Sequence, residues 1–160
     1  MKRRILFLIV ALSLACGVLA GCSGDEPKEA SNDTYATQTR TSSLEYSIYM
    51  NKQITVFANQ VNTRVTAVNS LKRSNYSDEA DLAKNCVKIL KETRDEVDTT
   101  YPSEGQDENR LKTLQVMDTT INDVENYIKD LEDDKDISGY AEVFLNDFNE
   151  LTGMANLYNR

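Results

Sequence analysis

The residues best spaced for chemistry lie near the C-terminal end of the chain. Asp134-Lys135-Asp136-Ile137-Ser138-Gly139, followed by Glu142, puts oxygen-bearing side chains at the first, third, fifth and ninth positions of a calcium-loop spacing, with glycine sixth. The twelfth position, where such a loop needs a bidentate carboxylate, is Leu145. Asp134, Asp136, Ser138 and Glu142 are therefore an incomplete calcium set, and a capped helix start after an acidic turn accounts for the same residues. Cys86 falls on an apolar stripe, where a thiol packs as a small inert group, although Lys84 and Lys88 are close in sequence. The chain has no His. That excludes Ser-His-Asp and Cys-His nucleophiles, imidazole metal ligands and the Glu-x-x-His pairs of carboxylate metal bundles. Paired catalytic acids need an apolar pocket to raise one pKa, and the acidic residues lie mostly off the apolar stripes. The expectation is a protein that is not an enzyme and uses no cofactor. With 18 Lys+Arg against 26 Asp+Glu, it would repel a phosphate backbone, so no nucleic-acid partner is expected.

The N-terminus carries a different kind of chemistry. Met1-Lys2-Arg3-Arg4 precedes an apolar run from Ile5 to Val18, then Leu19-Ala20-Gly21-Cys22. A basic start, a short apolar stretch and small residues before a cleavage point read as a secretory signal, too short for a good membrane-spanning helix. Leu19-Ala20-Gly21-Cys22 resembles the lipobox of bacterial lipoprotein precursors. The resemblance implies cleavage between Gly21 and Cys22, a diacylglycerol thioether on Cys22, and a chain held on a membrane outside the cytoplasm by its acyl groups. On this reading residues 1–21 are the signal peptide. Cys16 leaves with it, Cys22 is modified, and Cys86 has no intrachain disulfide partner.

Residues 22–43 read as the lipidated Cys and a flexible tether. They contain one aromatic residue and no branched aliphatic, too little apolar area to offset the entropy of ordering. From Leu44 onward the spacing becomes helical, and residues 44–160 are assigned to a helical bundle domain. The first stripe is Leu44, Ile48, Ile54, Phe57, Val61, Val65, Val68 and Leu71, interrupted by Asn51. The second starts from Ser77 as N-cap and runs through Leu82, Cys86, Leu90, Thr93 and Val97, flanked by Ile89, stopping before Pro102. The third has Ser103 and Gln106 at capping-box spacing, then Leu111, Leu114, Met117, Ile121, Val124, Ile128 and Leu131. The acidic run Asp130–Asp134 opposes the helix dipole and marks its end. The fourth starts at Ser138 and presents Ala141, Phe144, Phe148, Leu151, Ala155 and Tyr158.

Short connections favour antiparallel neighbours. The fold class expected is all-α, an antiparallel up-down bundle of four helices, with a three-helix bundle and one docked segment as the alternative. Residues 101–160 hold 14 acidic and 5 basic groups, whereas the first helix has Lys52, Arg64, Lys72 and Arg73 against Glu45. The charge split suggests a basic first helix packed beside acidic later ones. Architecturally, Cys22, the polar linker and a Tyr101-Pro102-Ser103 break between long helices make the chain similar to small, uncharacterised helical lipoproteins of Gram-positive bacteria. The function expected is a non-catalytic, membrane-anchored envelope module that binds an envelope protein or wall component. The alternative is a small-ligand receptor or sensor with a pocket between helices near Asn51.

Overall fold

The computed structural model describes residues 42–159, and these form four α-helices without a strand among them. Helix α1 spans Ser43–Ser70, α2 Tyr76–Thr99, α3 Asp107–Glu132 and α4 Tyr140–Leu157. Each packs on its chain neighbours, and α1 closes the ring against α4. Cross-helix contacts set the directions. Arg64, late in α1, meets Glu79, early in α2, while Tyr49, early in α1, bonds the Glu96 carbonyl, late in α2. Lys84–Glu132, Lys91–Glu125 and Arg94–Asp118 run down α2 and α3 in opposite order. Thr113 meets Tyr158, and Tyr127 meets Phe144. The fold is an all-α, up-down-up-down four-helix bundle. All four helices feed one interior, so no segment is merely docked on a three-helix core.

Helix α1 begins one residue before the expected domain boundary, and for a clear reason. Ser42 accepts from the Glu45 backbone N–H at 3.3 Å, and Glu45 accepts from the Ser42 N–H at 3.1 Å, a reciprocal capping box. Its buried face starts at Tyr46 and continues through Met50, Ile54, Phe57 and Val61. Leu44 and Ile48, expected to open that face, are 69 % and 61 % exposed. The step from Leu44 to Ile48 leads on to Lys52 rather than to Ile54, whereas Tyr46 leads to Met50 and Ile54 at four-residue steps.

The other helix starts differ from expectation in the same manner. A single 3₁₀ turn at Arg73–Asn75 leads into α2 at Tyr76, so Ser77 is inside the helix and is not its cap. Ala80 and Ala83 are buried, and Leu82 is turned out at 55 % exposure. Ser103 does not cap α3. It is buried, and its carbonyl accepts from the Gln106 N–H at 3.0 Å in a turn whose third residue, Gly105, has φ +77°. Leu111 is likewise exposed, so the buried run of α3 begins at Thr113 and Leu114. Ser138 precedes α4 by two residues and sits in the turn that Asp136 holds.

The end of α3 is tied by its own backbone. Asp134 adopts φ 56°, its N–H donates to Leu131 O at 3.2 Å, and the Lys135 N–H donates to Asp130 O at 2.9 Å. This is the Schellman arrangement, with Asp in the position usually taken by Gly. Charge is distributed otherwise than expected as well. Arg64 and Arg73 of the first segment do pair with Glu79 and Asp134, but the longest row of interhelical ion pairs joins α2 to α3. The α2–α3 pairs are exposed and screened by water, so the apolar interior carries the stability. Leu90 is fully buried, and Leu90→Ala should cost about 2–5 kcal/mol in chemical denaturation. Leu44→Ala should stay within about 0.5 kcal/mol of the parent, since its side chain has little burial to lose.

Candidate functional site

The first three turns of α1 and the two residues that follow α4 line an open groove of about 760 Å³. Leu44, Ile48, Asn51 and Lys52 form one wall, and Tyr158 and Asn159 the other. Asn51 explains the break in the α1 stripe. Its Nδ2 donates to Asn159 Oδ1 at 2.9 Å and, at 3.3 Å, to the Ala155 carbonyl, as a second donor beside the Tyr158 backbone N–H at the end of α4. Tyr158 is buried at the base, edge-on to Tyr46 at a centroid distance of 6.0 Å, with its hydroxyl 3.3 Å from Thr113 Oγ1. A smaller cleft of about 220 Å³ lies further along the same pair of helices, between Thr55, Asn59, Phe148 and Thr152. Among the described residues no acidic side chain lines either of them. Lys52 is their one charged lining residue. The groove thus offers aliphatic contact, amide hydrogen bonds and one cation. Burial pushes the Tyr158 phenol up from its usual range, so it stays protonated. The arrangement suits recognition of a surface rather than proton transfer.

The opposite end of the bundle holds a buried polar cluster. Arg64 Nη1 lies 2.6 Å from Glu79 Oε1, and the Tyr127 hydroxyl donates to the same oxygen at 3.3 Å. Burial, and then the Glu79 charge, push the Tyr127 phenol far above its ordinary value. Tyr127 also packs against Tyr140 and Phe144, each with ring centroids 5.2 Å away. The Tyr140 phenol, partly buried and donating to Asp130 at 2.7 Å, is pushed up to about 12. Cys86 is buried nearby, with Sγ 3.8 Å from the Gln60 carbonyl. Burial raises its thiol pKa, which makes it a poor nucleophile.

The residues of the acidic loop are used locally. Asp134 takes the Arg73 guanidinium at 2.6 Å, and Arg73 also donates to the Asp134 carbonyl. That guanidinium holds the Asp134 carboxyl below its usual range. Asp136 accepts from the Ser138 N–H at 3.0 Å and from its hydroxyl at 3.1 Å, which lowers its pKa too. Glu142 stands in the first turn of α4, facing the positive end of the dipole. Among the described residues no group of three or more acidic or Cys side chains converges as a metal would require. Gly21 and Cys22 lie outside the described residues.

Two buried carboxylates were missed in the sequence. Glu79 lies four residues before Ala83, and Asp147 lies three after Phe144 and four before Leu151, so both sit on apolar stripes and were within reach of the pattern. Glu79 found a partner in Arg64. Asp147 is 7 % exposed, and its Oδ2 has no hydrogen-bond partner.

No family model matches the chain, and comparison with curated proteins and with solved structures found no match either.

Asp147 is the group in the bundle whose titration should be felt as stability. Burial, and then the neighbouring charges of Asp123 on α3 and Glu150 on α4, push its carboxyl up to about 7. Below about pH 4 the group is neutral in both folded and unfolded chains and costs nothing. As pH rises toward 7, the unfolded chain ionises first and the fold loses stability. Asp147→Asn removes this titration, so the variant should exceed the parent by about 4 kcal/mol at pH 8 and approach it near pH 4. Paired urea titrations at the two pH values check both the size and the sign.

Proposed function

We propose that this chain is a bacterial lipoprotein, anchored through Cys22 and facing outside the cytoplasm, whose helical bundle is a non-catalytic module that engages a component of the cell envelope. The anchor part is supported by the sequence of residues 1–22, in which a basic start and an apolar run end on Leu19-Ala20-Gly21-Cys22. No helix among the described residues is long and apolar enough to cross a membrane. Residues 1–21 are then the signal, and the polar stretch up to Ser42 is the tether. The observation that carries the interaction part is the groove at the start of α1, where two large aliphatic side chains stand exposed beside amides and one cation. Arg64, Glu79 and Tyr127 are held in structural contacts, and the buried oxygens without a hydrogen-bond partner are those of Tyr46, Ser103, Thr120 and Asp147 among the described residues.

A small-ligand receptor is the second reading, favoured by the position of Asn51 on the groove wall. The groove is open rather than enclosed, and the centre of the bundle is filled by Met50, Phe57, Met117, Phe144 and Leu151. That geometry suits an extended partner better than an enclosed small molecule.

Metabolic labelling with a fatty-acid probe tests the anchor. The parent chain should incorporate label and fractionate with membranes, and Cys22→Ala should do neither. Labelling that persists in Cys22→Ala would show that the anchor lies elsewhere. A photo-crosslinking residue at Ile48 should give adducts with envelope material that the same residue at Leu82 does not. Equal yields at both positions would remove the groove as the contact site.

A further inference from the structure

We infer that the groove at the start of α1 rests on the lipid bilayer, with Leu44 and Ile48 seated at the level of the headgroups and Lys52 against anionic phosphate. This inference rests on the proposed anchoring through Cys22. Three observations support it. First, the groove is at the end of the bundle to which the N-terminal segment is joined, since Ser42 caps α1 and Leu44 and Ile48 lie in its first two turns. The anchored end is therefore the end held closest to lipid. Second, the exposed aliphatics are adjacent. Ile48 follows Leu44 by four residues, one helical turn, at 61 % and 69 % exposure.

Third, the charge is complementary. Among the described residues no acidic side chain lines the groove, and Lys52 is its charged member. Glu45, the nearest carboxylate in the sequence, is turned back onto Ser42 in the capping box. An acidic bundle would be repelled by an anionic surface on its other faces and accepted on this one. Two side chains alone bind a bilayer weakly, but a lipid anchor makes the contact intramolecular, at an effective concentration on the order of millimolar. The polar residues 23–41 contain no branched aliphatic and offer little to cover Leu44 and Ile48 instead.

The test uses the full-length acylated protein in phosphatidylcholine vesicles containing phosphatidylglycerol. An environment-sensitive fluorophore is attached through Ile48→Cys, and through Leu82→Cys near the opposite end, with Leu44→Cys as a second probe of the groove. Cys86 is 3 % exposed and shielded from the reagent. Mass spectrometry first establishes the acyl group on Cys22. Brominated lipids should quench the probe at positions 48 and 44 several-fold more than at 82, and Lys52→Glu should reduce that quenching in the phosphatidylglycerol vesicles. Equal, low quenching at all three positions with Cys22 acylated would overturn the inference and leave the anchor standing. A probe at 48 that escapes lipid quenching yet is shielded from aqueous iodide would overturn it by showing protein over the groove, either residues 23–41 or another copy. A chain without an acyl group would fail the anchor reading itself and take this inference with it.

Discussion

A guanidinium and a carboxylate taken out of water together lose their hydration, and regain it only if geometry and partners are right. Arg64 and Glu79 meet that condition at 2.6 Å, with side chains 13 % and 5 % exposed and the Tyr127 hydroxyl as a further donor. The contact draws on α1, α2 and α3 at once. Sliding any of the three by a turn would leave a charge or a phenol in the apolar interior with nothing to bond. Tyr127 passes the constraint to α4, because its ring stacks edge-on against Phe144. The register set at this end fixes what meets at the other. Asn51 comes opposite Ala155 and Asn159, Tyr46 opposite Tyr158, and the groove follows from their placement.

Nothing covalent supports this arrangement within the described residues, where Cys86 is a free, buried thiol. The chain instead relies on an interior shared by all four helices and on backbone closures between them. The Schellman end of α3, the Gly105 turn and the Asp136 turn before α4 each satisfy main-chain groups that short connections would leave unpaired. Asp147 works against the same interior. A carboxylate buried beside Asp123 and Glu150 makes the α3–α4 contact more favourable in acid than at neutral pH. Among the described residues the α1–α4 groove is lined by Lys52 and by no carboxylate, and this contrast with the acidic surface elsewhere gives the bundle one distinct face.

The four helices, their order and most of their buried faces were legible from three- and four-residue spacing, because one side of each helix must be apolar for the bundle to close. Cys86, Leu90, Val97, Met117, Val124, Phe144 and Leu151 are buried as that spacing implies. Errors cluster at the helix starts. Leu44, Leu82 and Leu111 each occur in the first two turns and point to solvent, while Tyr46, Ala83 or Thr113 fills the interior. Hydrophobicity alone ranks leucine above tyrosine or alanine and so misplaces the stripe. The pairing of Arg64 with Glu79 was not legible, since spacing along one helix says nothing about what the next helix brings opposite. The groove was partly legible. Asn51 stood out as a polar break in an apolar stripe, but its role in capping α4 needs the distant Ala155 carbonyl. The anchor rests on residues 1–22 alone and is independent of how the bundle packs.

The dependence of the bundle on the Arg64–Glu79 contact is most directly measured by a double-mutant cycle with Arg64→Met, Glu79→Leu and the combined variant, each unfolded in urea at pH 7. Each single change strands a buried charge and should cost about 3–5 kcal/mol. The combined variant should lose far less than the sum, because apolar groups replace both charges. Strictly additive losses, or single variants as stable as the parent, would contradict the claim that this pair sets the register.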